Sequence, residues 1–181
     1  CILLILLLAA MPWAHSQRPP GSVQRIPVGL SPIGIAGATT QPLDSSAYAV
    51  VANSGEDSVS VLRFRESTTS RDYSVLAANV RITGIPAPFG VACGGIVVTS
   101  PQSNAITKID IQRRAVVASL NVGRLPYLAA CMGDRVYVSN AGDNTVTVVD
   151  LASFQVVRVI GSIPGSRGLH GIVGVPSPGG A

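Results

Sequence analysis

The feature that most constrains the fold is a segment that occurs three times along the chain. The copies begin at Val50 (VVANSGEDSVSVLRF), Val97 (VVTSPQSNAITKIDI) and Tyr137 (YVSNAGDNTVTVVDL). Each copy has two runs rich in valine, isoleucine and threonine, which fit the pleated surface of a β-sheet. A polar stretch of Asn, Asp, Ser or Gly lies between the runs, and these residue types favour tight turns. Each copy therefore predicts a strand, a turn and a second strand.

The spacing of the copies predicts the architecture. The matched positions Val59, Ile106 and Val146 recur at intervals of 47 and 40 residues, and each copy is flanked by two further strand-like runs. A period of about 40 to 45 residues with four strands per unit is typical of a β-propeller. No apolar period of 3.6 residues persists along the chain. We therefore predict an all-β fold, a β-propeller built from four-stranded antiparallel blades.

The count of repeats predicts an incomplete ring. The predicted propeller region, 23–175, contains blades at about 32–82, 88–122 and 126–160, an outer-type strand at 23–28 and an inner-type strand at 171–175. Propellers close with roughly four to eight blades, and three blades leave two apolar faces open. Two explanations remain: the sequence is a fragment of a longer propeller, or chains self-associate through their open blade faces.

The first sixteen residues have the pattern of a secretory signal peptide. An apolar run from Ile2 to Ala10 is followed by Ala14-His15-Ser16, a small-x-small cleavage pattern that predicts cleavage before Gln17. The run is shorter than the roughly 20 residues that span a bilayer, although a retained signal-anchor is the alternative. We expect a signal peptide at 1–16, a linker at 17–22 and a flexible tail at 176–181. The expected location is secreted, periplasmic or cell-surface, with no stable membrane span after cleavage.

The charged residues do not predict a nucleic-acid partner. The chain has 13 basic and 9 acidic residues and a net charge of +4, but Arg113 and Arg114 are the only adjacent basic pair. Nucleic-acid binding usually requires a dense basic stripe with interleaved aromatic residues. The scattered bases indicate a solvated surface.

Two cysteines of the mature chain fall in one column of the repeat alignment, which reads Gly37, Cys93, Cys131 and Gly174. Such a column indicates a small side chain where sheets approach closely, and a free cysteine behaves there as a small hydrophobe. A disulfide needs Cα atoms less than about 7 Å apart. We expect equivalent positions of adjacent blades to lie farther apart, and therefore expect free thiols.

The third copy resembles the YVTN-family β-propeller repeat. The resemblance rests on Tyr137-Val138-Ser139-Asn140, on Asn144-Thr145-Val146 and on the closing Asp150, and it extends over about 23–175. It implies a propeller fold. The second copy departs from the pattern at Thr99-Ser100, and the first lacks the closing aspartate. Asp110 and Asp150, at the ends of third strands, are interpreted as side chains that cap the following turn.

The alternation of strands places two kinds of loop on one side of the predicted disc. These are the loop before each first strand and the turn between the second and third strands, and loops over a rigid scaffold often carry binding sites. The turn residues are interpreted as turn formers, because calcium would need several converging carboxylates. We predict no catalytic residue, metal ligand or cofactor. The candidate ligand face comprises Asn53, Glu56, Asp57, Arg124, Asn140, Asp143, Arg167 and His170.

These observations favour a secreted or periplasmic, non-catalytic binding or scaffold module whose protein or small-molecule ligand is unknown. The alternative implied by the resemblance is a fragment of a propeller enzyme, a lactonase-like hydrolase or a quinoprotein dehydrogenase, whose catalytic blades lie outside this sequence. A hydrolytic site would need paired carboxylates or a metal cluster. After the predicted cleavage the chain keeps a single histidine, His170.

Overall fold

The computed structural model describes residues 25–39, 46–66, 73–161 and 168–174. The predicted signal peptide, linker and tail lie outside the described residues. The described chain forms three four-stranded antiparallel sheets, and in each sheet the strands are paired in chain order. The first sheet contains β1 (Pro32–Thr39), β2 (Ser46–Asn53), β3 (Ser58–Glu66) and β4 (Tyr73–Thr83). The second contains β5 (Val91–Ala92), β6 (Val97–Ser100), β7 (Ala105–Asp110) and β8 (Ala115–Asn121). The third contains β9 (Pro126–Met132), β10 (Arg135–Asn140), β11 (Thr145–Asp150) and β12 (Gln155–Ile160).

The sheets repeat in detail, including a bulge in the outer strand. In the second sheet Lys108 pairs with Ala118 and Ile109 with Val116, so Val117 has no partner. In the third sheet the same irregularity leaves out Val157, and the first sheet is also irregular between β3 and β4. A bulge increases the local right-handed twist of a strand. The bulges therefore increase the local twist of the outer strands.

The blades pack face to face through two apolar clusters. The first joins the first two blades and includes Val50, Val59, Ile85 and Val98. The second joins the second and third blades, and its buried members are Val97, Ile106, Val136, Val138, Val149 and Phe154. In the described part of the chain the three blades do not close into a ring, as the repeat count predicted. The predicted fold class, an incomplete all-β propeller, is confirmed.

The inner strands of the three blades run side by side. A Cβ atom added to Gly90 would lie 2.6 Å from the carbonyl oxygen of Tyr127, so the inner strands β5 and β9 approach closely. Residues 168–174, which have no regular strand structure, follow β9 in the same way. A Cβ atom at Gly174 would lie 3.0 Å from the carbonyl oxygen of Cys131. This segment therefore occupies the position of a fourth inner strand.

The expectation of free thiols is wrong, because Cys93 and Cys131 form a disulfide. Their Cα atoms are 5.2 Å apart, within the range that a disulfide requires. The prediction treated the separation of blades as uniform, whereas radiating sheets converge toward the axis. Cys93 directly follows the inner strand β5 and Cys131 lies in β9, where two blades are closest. Among the described residues no helix is long and apolar enough to cross a membrane.

Candidate functional site

In the first and third blades, the residues before the inner strand lie against the turn between the second and third strands of the same blade. We call residues 28–31, 84–87 and 122–125 the lead-in segments. The Gly55 N–H donates to the carbonyl oxygen of Leu30 at 3.1 Å, and the Gly142 N–H donates to that of Arg124 at 2.9 Å. Both kinds of loop therefore lie on one side of the molecule, which we call the turn face. The turn face contains the backbone of the predicted ligand residues that the structure describes.

Two predicted ligand residues, Asn53 and Asn140, are fully buried. The Nδ2 of Asn53 donates to Oγ of Ser58 and of Ser60, at 3.0 Å in both cases. The Nδ2 of Asn140 donates to the hydroxyls of Thr145 and Thr147 at 3.0 and 2.8 Å. Each asparagine thus joins its own strand to alternate hydroxyls of the next strand.

Each of these asparagines lies under a glycine of its lead-in segment. A Cβ atom at Gly29 would lie 2.6 Å from Cγ of Asn53, and one at Gly123 would lie 2.5 Å from Cγ of Asn140. Any larger residue would therefore overlap the amide. Oδ1 of Asn53 accepts the Gly29 N–H at 3.1 Å, whereas Oδ1 of Asn140 has no hydrogen-bond partner among the described residues.

In the second blade, both the glycine and the asparagine of this pair are replaced. In its lead-in segment Ile85 takes the place of the glycine, and at the end of β6 Ser100 takes the place of the asparagine. Both are fully buried. The smaller serine leaves room for the isoleucine side chain, which joins the apolar cluster between the first two blades.

The residues that end these turns connect consecutive blades. Asp57, Asn104 and Asn144 are left-handed, with φ of 50°, 52° and 55°, as short polar side chains tolerate. Each accepts an N–H from the segment leading into the following blade: Asp57 from Ala87 at 2.7 Å, Asn104 from Leu125 at 3.0 Å and Asn144 from Gly168 at 2.7 Å. The predicted ligand residue Asp57 is therefore a connector between the first and second blades.

Glu56, another predicted ligand residue, is also held by its neighbours. Its Oε1 accepts the hydroxyl of Ser58 at 2.8 Å and lies 3.4 Å from Nε of Arg81. The Arg81 side chain is 48% exposed, so this ion pair contributes at most about 1 kcal/mol. Glu56 is half-buried and paired.

The predicted residues of the third blade are less completely engaged. Oδ2 of Asp143 accepts the backbone N–H of Arg124 at 2.6 Å, and in the described part of the chain its carboxylate makes no ion pair. Arg124 is exposed. His170 is exposed as well, while Arg167 lies outside the described residues.

His170 belongs to a row of aromatic side chains that the sequence analysis did not identify. The rings of Tyr127 and His170 are stacked with centroids 5.0 Å apart, and the ring of Phe89 meets Tyr127 edge-on at 5.0 Å. These residues hold equivalent positions at the start of three successive inner strands, and Ile33 holds the same position in the first blade. The alignment of the repeats contained a signal for this column, because Ile33, Phe89 and Tyr127 each follow a proline. We call Phe89, Tyr127 and His170 the aromatic row.

The opposite side of the molecule carries capped turns, as predicted for Asp110 and Asp150. Oδ1 of Asp110 accepts the Arg113 N–H, and Oδ1 of Asp150 accepts the Ser153 N–H, both at 2.8 Å. Hydrogen bonds from the Ser153 N–H and hydroxyl lower the pKa of Asp150, and the nearby Arg135 guanidinium lowers it further. These carboxylates stabilise turns.

Within the ranges that the structure describes, no group of three or more His, Cys, Asp or Glu side chains is placed to hold a metal ion.

The comparisons with known proteins show the fold alone. No protein-family model matches the chain, and no curated protein matches it in sequence. The solved structure of hydrazine synthase from Kuenenia stuttgartiensis is similar, with a TM-score of 0.60 and 19% identity over 84% of this chain and 41% of that one. A functionally unknown protein from Desulfotomaculum acetoxidans has a TM-score of 0.56 and 18% identity over 76% of this chain and 44% of its own. A protein of unknown function from Bacteroides caccae has a TM-score of 0.53 and 14% identity over 78% of this chain and 50% of its own. The chain thus spans half or less of each of these propeller-like structures.

Proposed function

We propose that the chain is a non-catalytic binding or scaffold module, part of a larger β-propeller, that acts outside the cytoplasm and binds its ligand on the turn face. The observation that carries the proposal is the aromatic row. His170 is exposed, and its ring is stacked on the half-buried ring of Tyr127. Aromatic rings offer a large apolar surface with little conformational freedom to lose. A ligand with a flat ring can extend this stack.

The polar side chains around the row support binding rather than chemistry. Asn53 and Asn140 are buried, and Glu56 and Asp57 hold internal hydrogen bonds. Groups fixed in this way shape a rigid surface. General acid–base chemistry would require a side chain within reach of a substrate.

The disulfide supports a location outside the cytoplasm. Disulfides persist in oxidising compartments and are rare in the cytosol. The bond between Cys93 and Cys131 fits the signal peptide expected at 1–16. YVTN-family membership is part of the same proposal, supported by the contacts of Asn140 with Thr145 and Thr147.

The test is a titration of the labelled protein with indole, a flat aromatic probe, and with methyl β-glucoside, a sugar-ring probe, followed by NMR. Indole should shift amide signals at residues 88–90, 126–128 and 168–171. His170→Ala should weaken the effect, and Tyr127→Ala with His170→Ala should abolish it. Arg113→Ala is the control, because its side chain is 83% exposed on the opposite side.

Shifts confined to the opposite side, or unchanged in the double variant, would overturn the binding site. Hydrolysis of a γ-lactone by the purified chain would overturn the non-catalytic assignment. Circular dichroism of each variant checks that the blades remain folded.

A further inference from the structure

A cavity of about 400 Å³ opens between the second and third blades on the turn face. Val156 and Val159 of β12 line it together with Thr145 and Thr147 of β11. Gly123 of the lead-in segment and Asp143 complete its rim. None of these residues belongs to the aromatic row, so the cavity is a separate site.

Gly123 lines the cavity and contributes no side chain to it. At the junction of the first two blades Ile85 occupies the same position, and its side chain is fully buried. At the second junction Asn140 forces Gly123, since a Cβ atom would lie 2.5 Å from Cγ of the amide. At the second junction the amide of Asn140 takes the space beside the glycine, and the adjoining cavity has Val122, Val156 and Val159 in its lining. Its lining therefore fits a branched aliphatic group.

Asp143 gives the cavity a charge. Among the lining residues that the structure describes it alone has a charged side chain, and its Oδ2 accepts the Arg124 N–H. A carboxylate beside an apolar cavity favours a cationic group on the occupant, because an unpaired charge at a desolvated surface is costly. A lysine or arginine next to the aliphatic group would meet this requirement.

The outer edge of β12 borders the cavity. All six residues of β12 are exposed, and β12 is the outermost strand of its sheet. An exposed sheet edge presents unpaired backbone groups on which an extended peptide can add as a further strand. Val156 and Val159 are 43% and 54% exposed, so their side chains are accessible to such a peptide.

We propose that this cavity and the edge of β12 form a docking site for an extended peptide segment of a partner protein. The segment adds along β12, inserts a branched aliphatic side chain between the second and third blades, and places an adjacent lysine or arginine against Asp143. The site selects peptides by their charge as well as by their apolar side chains.

The test uses a short acetylated and amidated peptide of alternating lysine and isoleucine, with a glutamate–isoleucine peptide as the charge control. Isothermal titration should show binding of the lysine peptide to the full chain. Asp143→Asn should weaken it about fivefold, as expected for a half-exposed ion pair. Val159→Gln should weaken it about tenfold through the loss of one aliphatic contact. Val117→Gln, at a residue 55% exposed on β8, should leave it unchanged.

The most informative variant introduces the isoleucine and serine of the first junction, Ile85 and Ser100, at the equivalent positions of the second junction. Gly123→Ile combined with Asn140→Ser fills the cavity and removes the buried amide that required the glycine. It should abolish binding of the lysine peptide. If this variant fails to fold, the single change Val159→Gln, at a surface position, carries the test.

Three results would overturn the proposal. The filled variant could bind the lysine peptide as the natural chain does, or the glutamate peptide could bind equally well. Alternatively, sedimentation could show self-association that Val159→Gln removes while no peptide binds, which would make a second copy of this chain the occupant.

Discussion

The junction between the first two blades and the junction between the second and third differ in how they are held. The first is an apolar cluster into which Ile85 inserts from the lead-in segment. The second has an apolar cluster too, but glycine replaces the isoleucine, and a disulfide, a buried hydroxyl and a lysine cross from blade to blade. Both junctions also carry hydrogen bonds between blades, such as that from Ala87 to Asp57 at the first, so the comparison shows that apolar volume and specific cross-links are combined differently at equivalent junctions. The cavity described above lies at the junction that carries the disulfide.

The disulfide should give the largest effect. In the loop-entropy model, closing a loop with a sequence separation of 38 stabilises a protein by about 4 kcal/mol. Cys93→Ala with Cys131→Ala should lower the free energy of unfolding by that order, measured by urea denaturation. Reduction of the natural chain with dithiothreitol should produce a loss of similar size. Equal stability of the oxidised chain and the double variant would remove the disulfide from the comparison.

Ile85→Ala should give the next largest effect. The side chain is fully buried, and truncation of such an isoleucine costs about 2 to 5 kcal/mol through lost burial and the cavity left behind. Val117→Ala is the control, since a residue 55% exposed should change stability by less than about 0.5 kcal/mol. A loss at Ile85 no larger than the control would show that volume does not hold the first junction.

Thr99→Val should cost about 1 to 3 kcal/mol. The Thr99 hydroxyl accepts the Gly90 N–H at 2.8 Å and donates to the carbonyl oxygen of Tyr127 in the next blade at 2.7 Å. Valine keeps the shape but leaves both buried groups without a partner. Thr107→Val is the matched control on the other face of the same sheet, because Thr107 makes no hydrogen bond to another blade in the described structure. Similar losses of stability in the two variants would contradict a stabilising effect of the Thr99–Tyr127 hydrogen bond on the second junction.

The smallest effect should be the pH dependence contributed by Asp150. Its pKa is lowered from 3.8 by the Ser153 hydrogen bonds and by Arg135, so the folded state favours the charged carboxylate. Its contribution is therefore complete above the ordinary pKa and disappears as pH falls through the lowered pKa. The natural chain should be more stable than Asp150→Asn at neutral pH, and the difference should vanish in acid. A constant difference across a urea series at several pH values would contradict this sign.

Asp150 matters for the comparison of the two junctions, because the turn that it caps accepts a hydrogen bond from a lysine of the second blade. Nζ of Lys108 donates to the carbonyl oxygen of Leu151 at 2.6 Å and lies 5.8 Å from the ring centroid of Phe154. Ordering of this turn therefore supports the second junction. If Lys108→Met reduces the effect of Asp150→Asn in a double-mutant cycle, the two residues act together.

The fold could be predicted because its signals are local and repeated. Runs of valine, isoleucine and threonine on either side of turns such as that from Asn140 to Asn144 recur at intervals of 47 and 40 residues. The pairing of Cys93 with Cys131 could not be predicted, because it depends on how closely the inner strands converge. Sequence spacing does not contain that distance.

The candidate site was predicted only in outline. The turn residues were placed on one side of the blades, but the burial of Asn53 and Asn140 depends on glycines that come more than fifteen residues earlier in the sequence. The aromatic row was missed because its column mixes residue types, from Ile33 to His170. The cavity beside Gly123 was not predicted, because its lining combines residues of β11, β12 and a lead-in segment that meet only in the folded chain.

The left-handed residues Asp57, Asn104 and Asn144 have a consequence for where one unit of this protein begins. Each hydrogen-bonds the segment that leads into the following blade, so a blade is positioned by a side chain of its predecessor. When blades fold in chain order, each new blade therefore meets an acceptor that the preceding blade already carries. A building block cut between sheets would separate that acceptor from its donor. A block that starts at Asp57 and ends before Asn104 keeps both, and would be the natural module for lengthening or shortening the array.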